Sequence, residues 1–75
     1  MFSKKLFSER LRELRTKHKI SQTQLGEIVG ISQFAVSKIE KSERAASIEV
    51  LYALADYFDV SLDYLVGRSD EPERR

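Results

Sequence analysis

The chain contains no cysteine, so neither a disulfide nor a thiolate metal site can form in it. His18 is the single histidine. One imidazole is too few for a zinc site, and it forms no recognisable nucleophile–base pattern with the serines. No paired-carboxylate site is visible either. These absences argue against an enzyme, and no metal or cofactor is expected. No apolar run approaches the roughly 20 residues that span a bilayer. Lys4 and Lys5 are followed by no long apolar stretch, so the start of the chain does not read as a secretory signal. The expected location is the cytoplasm, without membrane attachment. Strand-type alternation, internal repeats and low-complexity segments are also missing. The only proline, Pro72, lies in the polar stretch 68–75, which reads as a disordered tail. In a chain of 75 residues the part before that stretch makes one domain with a thin core.

What is present is concentrated in residues 21–40, Ser-Gln-Thr-Gln-Leu-Gly-Glu-Ile-Val-Gly-Ile-Ser-Gln-Phe-Ala-Val-Ser-Lys-Ile-Glu. Ser21 and Gln24 have capping-box spacing, in which a hydroxyl and an amide satisfy each other's backbone N–H groups at a helix start. Leu25, Ile28 and Val29 recur at helical spacing on one face. Gly30 can adopt the left-handed conformation that stops a helix. Ile31 is placed to plug the corner, and Ser32 is a second N-cap. Val36 and Ile39 give the following helix a narrow apolar stripe. Gln33, Phe34, Ser37 and Lys38 are left facing outward. The pattern predicts two short helices, about 22–29 and 33–41, joined by a tight turn. That unit is the one that lays a helix in the DNA major groove.

The segment resembles the helix-turn-helix of the phage-repressor and Cro family, also called the XRE family, and the resemblance extends from about Leu6 to Gly67. A small residue at Gly26, glycine at Gly30, and apolar residues at Leu25, Val29, Ile31, Val36 and Ile39 carry it. The family usually has alanine where this chain has Gly26; glycine costs roughly 1 kcal/mol in a helix interior. The resemblance implies an all-α, five-helix, lambda-repressor-like DNA-binding domain over residues 1–67, with the helix-turn-helix formed by its second and third helices.

The rest of the chain reads consistently with that. A first helix is expected over about 6–17 after a frayed start, with Phe7, Leu11 and Leu14 buried and Glu9, Arg10, Arg12, Glu13 and Lys17 exposed. His18 suits its C-terminus, and Ile20 staples the next helix. After a polar loop over 42–46, Ser47 caps a fourth helix carrying Leu51, Leu54, Ala55 and Phe58. Ser61 caps a short fifth helix over about 62–66, which Gly67 ends. Residues 1–44 carry ten Lys and Arg against five Glu, whereas 45–75 carry three Arg against seven Asp and Glu. The basic half therefore coincides with the helix-turn-helix, as expected of a polyanion binder.

Individual roles follow. Gln33 opens the outward helix, where its amide can bond adenine N6 and N7; the resemblance implies a base-reading position. Lys38 can reach guanine or a phosphate, and Ser37 likewise a base or a phosphate. Phe34, off the core stripe, either touches a thymine methyl or packs against helix 2 or the following loop. Gln22 and Thr23 begin a helix, where N–H groups hold phosphate, and Gln22 matches the family's phosphate-clamp glutamine. Lys41, Ser42 and Arg44 look like backbone clamps, which position without specifying. Arg15 and Glu40 lie at the edges of two apolar faces, and the resemblance implies an ion pair between them. Tyr52, Tyr57 and Tyr64 read as half-buried packing residues. Leu62, Tyr64 and Leu65 are candidates for a dimer contact, with Leu65 alternatively plain core. Two functions are consistent with this: a regulator binding double-stranded DNA as a homodimer on a near-palindromic operator, most simply as a repressor, or an antitoxin-like module whose main contact is a regulatory protein partner.

Overall fold

A computed structural model describes residues 3–73, which form five helices: α1 (Lys4–Lys17), α2 (Gln22–Val29), α3 (Gln33–Glu40), α4 (Ile48–Phe58) and α5 (Leu62–Leu65). No strand occurs among the described residues. Every helix begins on a serine whose hydroxyl accepts from the backbone N–H three residues on: Ser3, Ser21, Ser32, Ser47 and Ser61. Such a cap satisfies one of the N–H groups that a helix start leaves without a partner. At Ser21 the reciprocal bond from Gln24 completes the capping box. Ser3 also explains why α1 starts two residues earlier than its apolar stripe suggests. Lys4 and Lys5 belong to the first turn and are not frayed, while Met1 and Phe2 lie outside the described residues.

The helix ends are equally local. His18 follows α1 with its backbone N–H on the Leu14 carbonyl, its Nδ1 2.9 Å from that same oxygen, and its ring edge-on to Phe58. Gly30 closes α2 in the left-handed region at φ 80°, and Gly67 after α5 has φ 88°. Asp59 closes α4 in the same region without being glycine, a conformation Asp tolerates better than most residues.

Phe7, Leu11 and Leu14 of α1 meet Leu25, Val36, Ile39, Leu54, Ala55, Phe58 and Leu65 in one core, joined by Val50 and Val60. The last two were not marked by the sequence pattern; Val60 is in the α4–α5 connection and is buried because Asp59 turns the chain sharply inward. Ile28 departs in the other direction. It lies 43% exposed, because the inner face of α2 is centred on Leu25, Gly26 and Val29, and at about 100° per residue Ile28 falls at the edge of that face. At Gly26 a Cβ would lie 2.5 Å from the Ile31 carbonyl oxygen. Glycine here is therefore more than a propensity cost: it lets the start of α3 close onto α2.

Three further expectations are revised. Arg10, read as exposed, is buried. Its guanidinium donates to the carbonyls of Tyr64 and Ser69 and to Asp70 Oδ1, and stacks over the Tyr64 ring. A buried guanidinium requires acceptors, and the segment after Gly67 supplies two of the three. The described part of the polar tail, 68–73, is accordingly held against α1 and α5, with the Pro72 carbonyl also accepting from the Ser61 N–H. Residues 74 and 75 lie outside the described residues. Leu65 is fully buried, because α5 turns it into the core, and it is not available to a dimer contact. No helix among the described residues is long and apolar enough to cross a membrane.

Candidate nucleic-acid interface

α3 buries Ala35, Val36, Ile39 and Glu40 and turns its opposite side outward. Gln33 and Phe34 are exposed at its first turn; Ser37 and Lys38, one turn on, are half-buried. Phe34 is 65% exposed and does not pack into helix 2. Its nearest partner of note is Lys38, whose Nζ is 5.2 Å from the ring centroid and 3.4 Å from Glu43 Oε1. A half-exposed ion pair of that length contributes little to stability, so Lys38 remains free to exchange Glu43 for another anion.

Behind this face the Arg15–Glu40 pair forms as the resemblance implied. Arg15 Nε donates to Glu40 Oε2 at 2.6 Å and its Nη2 to Oε1 at 3.1 Å, while Nη1 holds the Ile20 carbonyl at 3.0 Å. The Glu40 side chain is 4% exposed. Arg12 adds a bond to the Glu40 carbonyl at the end of α3, where a cation also suits the helix dipole. The pair thus locks α1, the turn before α2 and the last turn of α3 together.

The pair continues to the surface, which the sequence did not disclose. Gln22 Nε2 donates to Glu40 Oε1 at 3.1 Å, and Gln33 Nε2 donates to Gln22 Oε1 at 2.8 Å. Gln22 is at the first position of α2 and Gln33 at the first position of α3, eleven residues apart. They meet because the Gly30 turn brings the two helix starts to the same edge. Each glutamine was legible alone; only the turn geometry links them.

The other candidates divide. Thr23 is exposed beside Gln22, and Lys41 and Arg44 are exposed beyond the end of α3. Ser42 instead points inward at φ 62°. Its hydroxyl donates to Ser8 Oγ at 2.9 Å, and Ser8 in turn donates to the Ile39 carbonyl at 2.6 Å. That hydroxyl ties α3 to α1, because a buried Ser8 needs a partner for its oxygen. Leu62 and Tyr64 are half-buried, and Tyr52 and Tyr57 are 56% and 39% exposed. Tyr52 thus lies further out than a packing residue would, whereas Tyr57 packs its ring edge-on to Phe58 and beside His18.

Comparison with known proteins places this arrangement. Residues 11–65 match the helix-turn-helix family. The Bacillus subtilis HTH-type transcriptional regulator YobD is 35% identical over 68 residues, covering 91% of this chain and 61% of that protein. Repressor protein C2 of Salmonella phage P22 is 44% identical over 61 residues, covering 81% of this chain and 28% of the repressor. The chain therefore spans less than two thirds of the length of these relatives. Among solved structures, the P22 c2 repressor in complex with a synthetic operator superposes with a TM-score of 0.80 at 42% identity, over 85% of this chain and 97% of that one.

Proposed function

The chain belongs to the helix-turn-helix family, and on that premise we propose that it is a sequence-specific DNA-binding transcriptional regulator that acts as a repressor. The observation that carries this reading is the outward side of α3. Gln33 stands at its first turn with its amide already held by Gln22, beside a Phe34 that is costly to leave in water. α3 enters the major groove, Gln33 bonds an adenine edge, and Phe34 covers a thymine methyl. Lys38 and Ser37 contact the next base or its phosphate. Gln22, Thr23 and the N-terminal N–H groups of α2 take phosphate on one side of the groove, and Lys41 and Arg44 take it on the other. The solved complex of the similar P22 c2 repressor with a synthetic operator supports DNA as the partner.

Two copies joined through Leu62 and Tyr64 read a near-palindromic operator, with recognition helices about 34 Å apart on one face of the duplex. A promoter so occupied excludes polymerase, and a regulator of this kind acts where the DNA is, which we take to be the cytoplasm. Selection of bound duplexes from a random pool, at low and high salt, tests the proposal. An inverted repeat with half-sites about one helical turn apart is the expected result. Recovery of unselected sequence, with affinity collapsing as salt rises, would reduce the activity to backbone binding.

A further inference from the structure

Four side chains lead from the interior to the reading face: Arg15, Glu40, Gln22 and Gln33. Each step leaves one chemical choice. The Glu40 carboxylate, paired with a guanidinium through both oxygens, can only accept. Gln22 must therefore present its Nε2 to it, as it does at 3.1 Å. The Gln22 amide oxygen then faces outward, and it too can only accept. Gln33 must donate to it with its own Nε2, as it does at 2.8 Å. One of the two Nε2 hydrogens of Gln33 is thereby committed. What remains for the groove is one N–H donor and one carbonyl acceptor in a set order.

A glutamine with both hydrogens free can turn its NH₂ toward two acceptors. One anchored in this way cannot. Adenine presents an acceptor at N7 and a donor at N6, whereas guanine presents acceptors at both N7 and O6. We propose that Glu40 is a positioning residue for base choice: its charge sets the direction of the amide relay, and so makes Gln33 accept adenine and reject guanine. The inference rests on Gln33 being a base reader and adds to that reading what restricts it.

The test uses the full chain and the duplex that it selects, with the pair opposite Gln33 identified as the position where Gln33→Ala loses preference. Binding is then measured with A·T or G·C at that pair, and folding of each variant by thermal melting. The wild-type protein is expected to prefer A·T by about tenfold or more. Gln22→Met leaves the Arg15–Glu40 pair intact and cuts the relay; the preference should largely vanish there and persist at the other selected positions. Glu40→Gln should behave alike, since an amide can face either way. Combining Gln22→Glu with Glu40→Gln moves the carboxylate one step along, so that Gln33 again has only an acceptor beside it. That variant should regain the A·T preference at lower overall affinity, an outcome that a purely structural Glu40 would not give. Wild-type preference in folded Gln22→Met, or no recovery in the folded combined variant, overturns the proposal. If the wild-type protein selects no sequence at all, the DNA-reading assignment itself fails and the relay has nothing to restrict.

Discussion

At the scale of single residues, the exposed side of α3 separates specificity from affinity. Gln33→Ala should lose discrimination at one base pair by about 1–3 kcal/mol if the contact is bidentate, with other positions unaffected; competition binding with single-pair operator variants measures it. Arg44→Ala should weaken binding to every sequence alike and reduce the slope of log affinity against log salt by about one unit. Both side chains are exposed and polar, but only Gln33 has its donor geometry set by a neighbour. The sequence puts Gln33, Phe34, Ser37 and Lys38 on the side opposite the Val36 and Ile39 stripe, where the first two are exposed and the last two half-buried. It does not disclose the Gln22–Gln33 bond, since nothing in eleven residues of spacing encodes the angle at which two helix starts meet. The burial of Arg10 is hidden from the sequence for a related reason. Its position on α1 is polar by pattern, and the acceptors that bury it are Tyr64, Ser69 and Asp70, remote in the chain.

At the scale of elements, the helices are delimited by local chemistry. Four of the five serine caps were visible as a hydroxyl just before an apolar periodicity, and Ser3 was hidden because the residues after it, Lys4 and Lys5, are charged. The α2–α3 corner depends on two glycines in different ways. Gly30 has no atom within 4 Å of where a Cβ would stand, but its φ is +80°. Gly30→Ala should thus lower stability by conformational strain alone, about 1–2 kcal/mol, read as a shift in denaturant midpoint with an unchanged slope. Ser21→Ala removes the hydroxyl half of the capping box and should cost a further ~1 kcal/mol, with the same measurement as check. Because Ser21 precedes Gln22, that variant should also loosen the start of α2.

At the scale of the whole molecule, the segment after Gly67 behaves as part of the domain. Deleting residues 68–75 removes two of the three Arg10 acceptors and the Pro72–Ser61 bond. The expected loss is about 1–3 kcal/mol, measured by thermal or urea unfolding. The proposed dimer is tested by Leu62→Asp. It should leave the monomer's helix content in place and weaken binding to a full operator far more than to an isolated half-site, as sedimentation and binding titration would detect. The amino-acid sequence by itself determined the helix boundaries to within a residue or two, most of the core and the outward side of α3, because caps, turns and apolar periodicity act over three to four residues and need no distant partner. Only the tertiary structure decided that Arg10 is buried, that Ser42 serves α1, that Leu65 is core, and that an ion pair between α1 and α3 reaches through Gln22 to Gln33. Each of those depends on groups far apart in the chain meeting, Leu65 by apolar packing in the core and the others at hydrogen-bond distance, and contacts of that kind are set by how helices cross, which periodicity does not specify.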